Sequence, residues 1–408
     1  MVLWPNRKAL AFIFATVFLD LLGAGILLPV IPFLVRPYRT DATTVGLLSL
    51  AFSAAQFVAT PILGGLSDRH GRRPVLLLSI LGSALGYGLF GIGGSLAVLY
   101  FSRLLDGFTG GNISTAQAFI ADISAPEDRA KNFGLIGVAF GLGFMIGPAA
   151  GGALSQVSLQ APAWAACALA TVTTVFGYFA LPESLPPEKR RRDPMRARDF
   201  NPFLTIGQMF IRVGMAPLLL AVFAFNFANS GMQSNFAVFT NARWRFGPAE
   251  TGWVLAMVGV MAGVTQGWLV RRLMPRYGER PLTLVGLACS AAGFVGIAAA
   301  PGIAPFLGAT MLMTVGMSLA GPPLTSLLSR RVGPGEQGVL LGATMSVASL
   351  ARMLGPYWAG VTFDHVGPGA PYYSGALWTA VGLALVASAT TAAMAHAAGS
   401  NSRISPIQ

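Results

Sequence analysis

Residues 64–74 read Gly-Gly-Leu-Ser-Asp-Arg-His-Gly-Arg-Arg-Pro, a charged stretch between two long apolar runs. Part of it returns later in the chain: Arg69-His70-Gly71 with Arg73 maps onto Arg276-Tyr277-Gly278 with Arg280, a shift of 276 − 69 = 207. Gly147-Pro148 likewise maps onto Gly355-Pro356, and the same shift of 355 − 147 = 208 carries Pro126 to Pro334, Asp128 to Glu336 and Gly134 to Gly342. Self-similarity at a fixed offset marks repeated architecture. The chain therefore reads as two related halves, 1–182 and 209–408, joined by a charged, Pro-rich connection over 183–208.

Composition says where such halves live. Of 408 residues, 54% are hydrophobic and 10% charged, with a mean hydropathy of +0.64. So few charges cannot furnish an ordinary water-facing surface. A membrane-crossing helix needs about 20 mainly apolar residues. Twelve such segments are predicted near 9–35, 43–66, 74–94, 97–121, 132–155, 161–181, 209–241, 249–273, 281–300, 305–329, 338–363 and 370–396. Unbroken apolar runs rich in glycine favour helices over the alternating strands of a membrane barrel. The expected fold is all-α and integral to the membrane, in two pseudo-symmetric bundles of six.

The net charge of +12 is distributed between segments rather than in one patch, which argues against nucleic acid as a partner. Arg7, Lys8, Arg69, Arg72, Arg73, Arg129, Lys131, the 189–198 cluster, Arg271, Arg272, Arg276, Arg280, Arg330 and Arg331 all fall on alternate connections. The opposite connections hold little beyond Arg36, Arg39, Arg243 and Arg245. By the positive-inside rule both termini face the cytoplasm of a multi-pass protein in the cell's inner membrane. The first apolar run is too long for a signal peptide, contains Asp20 and lacks a cleavage site. Cys167 and Cys289 lie in separate segments and suggest packing, neither a disulfide framework nor a metal site. No phosphate-binding loop ends in Lys-Ser/Thr, so neither nucleotide-driven pumping nor any other cofactor is expected, and the chain does not read as an enzyme.

Four motifs in order now give a resemblance. Residues 64–74 are similar to the major facilitator loop motif. Arg103-x-x-x-Gly107 resembles that family's fourth-helix motif, and Gly143-x-x-x-Gly147-Pro148-x-x-Gly151-Gly152 resembles its antiporter motif. Phe18-Leu19-Asp20 with Pro29-Val30-Ile31-Pro32, and Ala121-Asp122-Ile123 running on to Glu127-Asp128-Arg129-Ala130, resemble tetracycline/proton antiporters across nearly the whole chain. The resemblance implies parallel six-helix repeats with a site near the membrane midplane between them. It implies gating by Asp68, Arg69, Arg72, Arg73, Asp122 and Arg129, with Asp68 meeting the start of the eleventh segment and Arg72 reaching Asp122. It also implies export coupled to protons, whereas the glycines and Pro148 by themselves imply only close helix packing and a bend.

Ionisable groups inside a membrane are costly and so mark function. Asp20 sits mid-segment 1, Arg103 and Asp106 in segment 4, and Arg352 in segment 11. Arg103, Asp106, Gly110, Ser114 and Gln117 share one face of segment 4. Asn226, Asn229, Ser230 and Gln233 share one face of segment 7, and Thr314, Ser318 and Thr325 repeat the pattern in segment 10. Asp20 and Asp106 are the candidate proton carriers; Asp106 at three residues from Arg103 also reads as its neutralising partner. Arg103, Gln117, Asn226, Asn229, Gln233 and Arg352 are the candidate substrate contacts, with Tyr87, Phe225, Trp253 and Trp358 as aromatic walls.

Two departures from the tetracycline exporters bear on substrate. Gly86 and Ser290 stand where those exporters carry further acids, and Arg352 replaces a small polar residue. The reading is a proton-coupled exporter of a small amphipathic molecule, a monomer in contact with membrane lipid. The alternatives are a lipid or lysolipid translocase or a metabolite transporter of the same fold.

Overall fold

The computed structural model describes residues 6–110, 112–125, 128–190, 207, 209–212, 214–333 and 336–401, without the side chains of 6–8, 112–113, 129–131, 189 and 390–401. The long helices are α1 (Asn6–Leu27), α2 (Ala42–His70), α3 (Arg72–Ile92), α4 in two stretches (Leu96–Thr109 and Asn112–Ile123), α5 (Arg129–Leu154) and α6 (Ala161–Ala180). The second half supplies α7 (Ala216–Trp244), α8 (Pro248–Tyr277), α9 (Glu279–Ala299), α10 (Ile303–Ser329), α11 (Gln337–His365) and α12 (Ala370–Asn401). No strand occurs among the described residues.

Ten of these helices are individually long and apolar enough to cross a membrane. The two stretches of α4, 14 and 12 residues, are each too short alone, and α7 is diluted by Asn226, Asn229, Gln233, Asn235 and Asn241.

Several segments differ locally from their sequence outline. Segment 1 ends at Leu27, because Pro29 cannot continue the helix, and resumes as a short turn over Ile31–Val35. Segment 4 is interrupted at Gly110, and Gln56 of α2 donates its side-chain amide to the Gly110 carbonyl at 2.8 Å. Segment 7 begins at Ala216 rather than near 209. Within α8, Thr265–Val270 winds as π-helix.

The repeat is visible in backbone detail. Gly71 and Gly278, equivalent under the shift of 207, both take left-handed φ of 106° and 79° that disfavour other residues. Each donates its N–H to the equivalent carbonyl four residues back, Ser67 at 3.1 Å and Met274 at 3.0 Å, to turn the chain between helices.

The chain divides into two compact units: Met1–Asn201 with Gln233–Gly263 and Pro356–Pro368, and Pro202–Met232 with Val264–Gly355 and Gly369–Gln408. In the first, α1 packs on α5 and α6, and α3 on α4 and α6, around Ile13, Leu27, Leu48, Phe90 and Phe119. In the second, α9 packs on α10 and α12, with Leu218, Leu287, Leu328 and Val386 buried. Three helices pass from one unit to the other: α7 after Met232, α8 just before its π-turn, and α11 between Gly355 and Pro356.

Candidate functional site

Asp20, Tyr87, Arg103 and Asp106 come together from α1, α3 and α4. Arg103 Nη1 and Asp106 Oδ2 are 3.2 Å apart, and the two side chains are only 8% and 4% exposed. Ser83 of α3 donates its hydroxyl to Asp106. The Arg103 guanidinium lies 4.6 Å from the ring centre of Phe90, with Tyr87 and Phe52 within about 6 Å. Its Nε and Nη2 are buried with no hydrogen-bond acceptor among the described residues. Asp20 is half-buried, and Tyr87 lies within electrostatic reach of Asp20, Asp106 and Arg103 at once. Gly23, one turn beyond Asp20, lies close to Tyr87: a methyl there would stand 3.3 Å from the ring, a tight contact.

Asp106 also occupies the space beside Gly86, where a Cβ would meet that of Asp106 at 2.9 Å. An acid on α3 at this position would collide with the acid on α4, so the carboxylate between these helices is supplied from the other side. The repeat sharpens the contrast. Under the shift of 207, Gly86 corresponds to Gly293, Asp106 to Met313 and Arg103 to Thr310, and Gly293 packs directly against Met313. Thr310 satisfies its hydroxyl on the Phe306 carbonyl of its own helix at 2.8 Å. The same helix crossing carries a buried ion pair in the first half and none in the second.

The antiporter-like glycines act as a packing surface on two sides. Gly143 and Gly147 abut Leu21, Leu22 and Gly25 of α1, and a Cβ at Gly147 would stand 2.8 Å from the Gly25 Cα. On the other side, the Pro148 carbonyl crowds Gly252 of α8, and Gly152 faces Pro248 and Ala249. The second copy repeats this: the Pro356 carbonyl crowds Gly46 of α2, and Gly360 faces Ala42 and Thr43. A glycine opposite each of these carbonyls lets the two backbones close on it. The α2–α11 seam has an added polar clamp. Asp364 accepts from the Ala42 N–H at 2.9 Å, the Thr43 N–H at 2.7 Å and the Thr43 hydroxyl at 2.5 Å, covering free donors at the α2 N-terminus. Asp41 caps the next N–H, of Thr44, at 2.8 Å. Burial alone would raise the Asp41 carboxyl, but the Thr44 hydroxyl and N–H outweigh it and hold the group below its ordinary value.

Around the loop motif, Arg72 is the hub. It pairs with Asp68, reaches Asp122 through Nε at 3.1 Å and donates to the Ser67 hydroxyl at 2.8 Å. Glu183, just past α6, accepts the Arg72 N–H at 2.8 Å and so caps α3, while Ser184 donates to Asp122 at 3.1 Å. Arg73 donates to the Tyr178 carbonyl near the end of α6 and stacks on the Tyr178 ring. Arg69 is exposed, and the Arg129 side chain lies outside the described residues. Neither Glu183 nor Asp364 was legible beforehand: one contacts a helix start 111 residues away, the other 322.

The second copy keeps this geometry with the charges exchanged. Arg72 and Asp122 correspond, at shifts of 207 and 208, to Glu279 and Arg330, which pair at 2.6 Å. Ser326 adds a hydrogen bond to Glu279 at 3.2 Å. Arg280, equivalent to Arg73, likewise donates to a carbonyl of the sixth helix of its half, that of Ala387 at 3.4 Å. Nearby, Arg212 pairs with Glu336, and its hydrogen bonds hold the Glu336 carboxyl below its ordinary value.

In α7, Asn226 donates to the Val222 carbonyl at 2.9 Å, and Ser230 contacts the Ala351 carbonyl of α11 at 3.2 Å. Part of this polar face therefore serves helix packing. Asn229 and Gln117 are half-buried and Gln233 is exposed. Arg352 is exposed midway along α11, and its Nη2 donates to Ser349 at 2.9 Å. Of the aromatic candidates, Tyr87 is buried, whereas Trp253 and Trp358 are exposed. Among the described residues no three His, Cys, Asp or Glu side chains form a group able to hold a metal ion.

Residues 13–356 match the sequence profile of the Major Facilitator Superfamily. The chain belongs to this superfamily. It is a membrane transporter, not an enzyme. It is 35% identical over 355 residues to the class C tetracycline resistance protein of Escherichia coli, covering 86% of this chain and 88% of the relative. Multidrug resistance protein 2 of Bacillus subtilis (strain 168) is 29% identical, covering 88% and 90%. A crystal structure of the human organic anion transporter MFSD10 (TETRAN) superposes with a TM-score of 0.73 at 27% identity, covering 94% of this chain and all of that one.

Proposed function

We propose that this transporter exports small amphipathic compounds in exchange for protons, from an inner membrane in which both termini face the cytoplasm. The observation that carries the reading is Asp20, a half-buried carboxylate in mid-membrane beside the buried Arg103–Asp106 pair. We assign Asp106 the neutralising role toward Arg103, with which it pairs, and assign the travelling proton to Asp20, the carboxylate of α1. Relatives named for tetracycline and multidrug resistance support the direction of transport and the class of cargo.

In this reading the two halves, 1–182 and 209–408, alternate about the glycine–proline seams, and the Asp68, Arg72 and Asp122 cluster with Arg69, Arg73 and Arg129 governs the cytoplasmic side. Protonation of Asp20 and occupancy by substrate favour opposite states, which yields exchange because each ligand shifts the equilibrium only by its differential affinity. A monomer suffices. Asp20→Asn should fold and insert normally yet lose uphill export driven by an imposed pH gradient in vesicles. Retention of uphill export by that variant would overturn the assignment.

A further inference from the structure

Arg352 is a charge in the middle of a membrane helix with no countercharge among the described residues. It lies 15 residues from the start of α11 at Gln337 and 13 from its end at His365, so either end is about 20 Å away at 1.5 Å per residue. That exceeds the reach of an extended arginine, so the side chain cannot snorkel to a membrane surface. Among the described residues no carboxylate pairs with it, and its hydrogen bond goes to the neutral Ser349.

The orientation of Arg352 is fixed by packing on another side of α11. Gly355 sits against Phe227, Ser230 and Gly231 of α7, and Ser230 contacts the carbonyl of Ala351. The accessible face is a stripe at helical spacing: Leu341 and Met345, both about half exposed, then Ser349 and Arg352. An unpaired guanidinium presented to lipid hydrocarbon is costly. The stripe therefore faces a hydrated space, with an apolar surface next to a planar five-donor cation.

We infer that Arg352 is the binding group for the anionic end of the substrate, and that the cargo is an amphipathic organic anion whose apolar body lies along Leu341 and Met345. A guanidinium grips a carboxylate with two parallel hydrogen bonds, and an ammonium at the same place would supply charge without the fork. The inference deepens the export reading, on which it depends for direction of transport but not for binding.

The test uses the purified full chain with two fluorescent dyes, anionic fluorescein and cationic rhodamine 6G, binding being followed by anisotropy. The wild type should bind fluorescein, Arg352→Gln should bind it at least about tenfold more weakly, and Arg352→Lys should fall between. Rhodamine 6G binding should change less than threefold. Unchanged fluorescein affinity in Arg352→Gln, equal weakening of both dyes, or no fluorescein binding by the wild type would each overturn the inference. Export is measured separately in proteoliposomes under a pH gradient. If the dyes bind as expected but fluorescein is not driven uphill, the export reading fails while the role of Arg352 stands.

Discussion

Breaking the Arg103–Asp106 pair from either side should destabilise the transporter, and removing both charges should restore most of the loss. At 3.2 Å two unit charges attract by about 5 kcal/mol at an effective dielectric of about 20. Desolvation of both groups offsets much of that, so the pair adds little net stability. Leaving one charge buried alone is a different matter and costs about 3–5 kcal/mol.

The two single variants should not be equal. In Asp106→Asn the guanidinium keeps the rings of Phe90, Tyr87 and Phe52, an environment worth up to about 2 kcal/mol to a desolvated cation. In Arg103→Gln the carboxylate keeps Ser83 alone, pressed against Gly86. Arg103→Gln should therefore be the more damaging. Equilibrium unfolding in mixed micelles of the wild type, both single variants and the double variant gives the coupling energy, expected to be about 2 kcal/mol or more. Additive single effects, with coupling below about 0.5 kcal/mol, would refute the view that Asp106 serves as a fixed counter-ion.

The charge-exchanged copy offers a rescue test. Glu279→Arg or Arg330→Asp alone places like charges together and should lower the melting temperature, whereas the two combined recreate the Arg72–Asp122 polarity and should recover it. Because Arg330 is 71% exposed, each single effect should be modest, about 1 kcal/mol; a double variant no better than the worse single would show that the pair does not staple α9 to α10. At the α2 N-terminus, Asp41→Ala should cost about 1 kcal/mol at neutral pH. Since folding lowers the Asp41 value, this contribution is present above the unfolded carboxylate value and fades as pH falls through the folded one. Melting curves at neutral and strongly acid pH should thus converge for wild type and variant; a constant difference would contradict the capping role.

Much of this transporter was legible in its residues, and the reasons are physical. Lipid provides no hydrogen-bond partners for the backbone, so long apolar runs must be helices, and the 207- and 208-residue offsets expose the repeat. Gly71 and Gly278 could be paired from sequence because a left-handed turn admits few alternatives. Asp20, Arg103, Asp106 and Arg352 stood out because charge is scarce in a membrane. Pairwise partnership was another matter. Arg103 and Asp106 are near in sequence and could be matched, but the aromatic rings around Arg103 come from α2 and α3. Glu183 on α3, Asp364 on α2 and Glu279 with Arg330 are contacts between distant helix ends, which no periodicity records.

The chain's apolar lengths, charge asymmetry and internal repeat dictated a membrane protein of twelve segments in two related halves, since these depend on hydropathy and spacing alone. The break in α4 held by Gln56, the carboxylate between α3 and α4 placed opposite Gly86, and the absence, among the described residues, of a countercharge at Arg352 emerged only on folding. Each depends on which atoms from remote helices occupy the few ångströms around a group, and in a close-packed interior that is set by the whole arrangement rather than by neighbours along the chain.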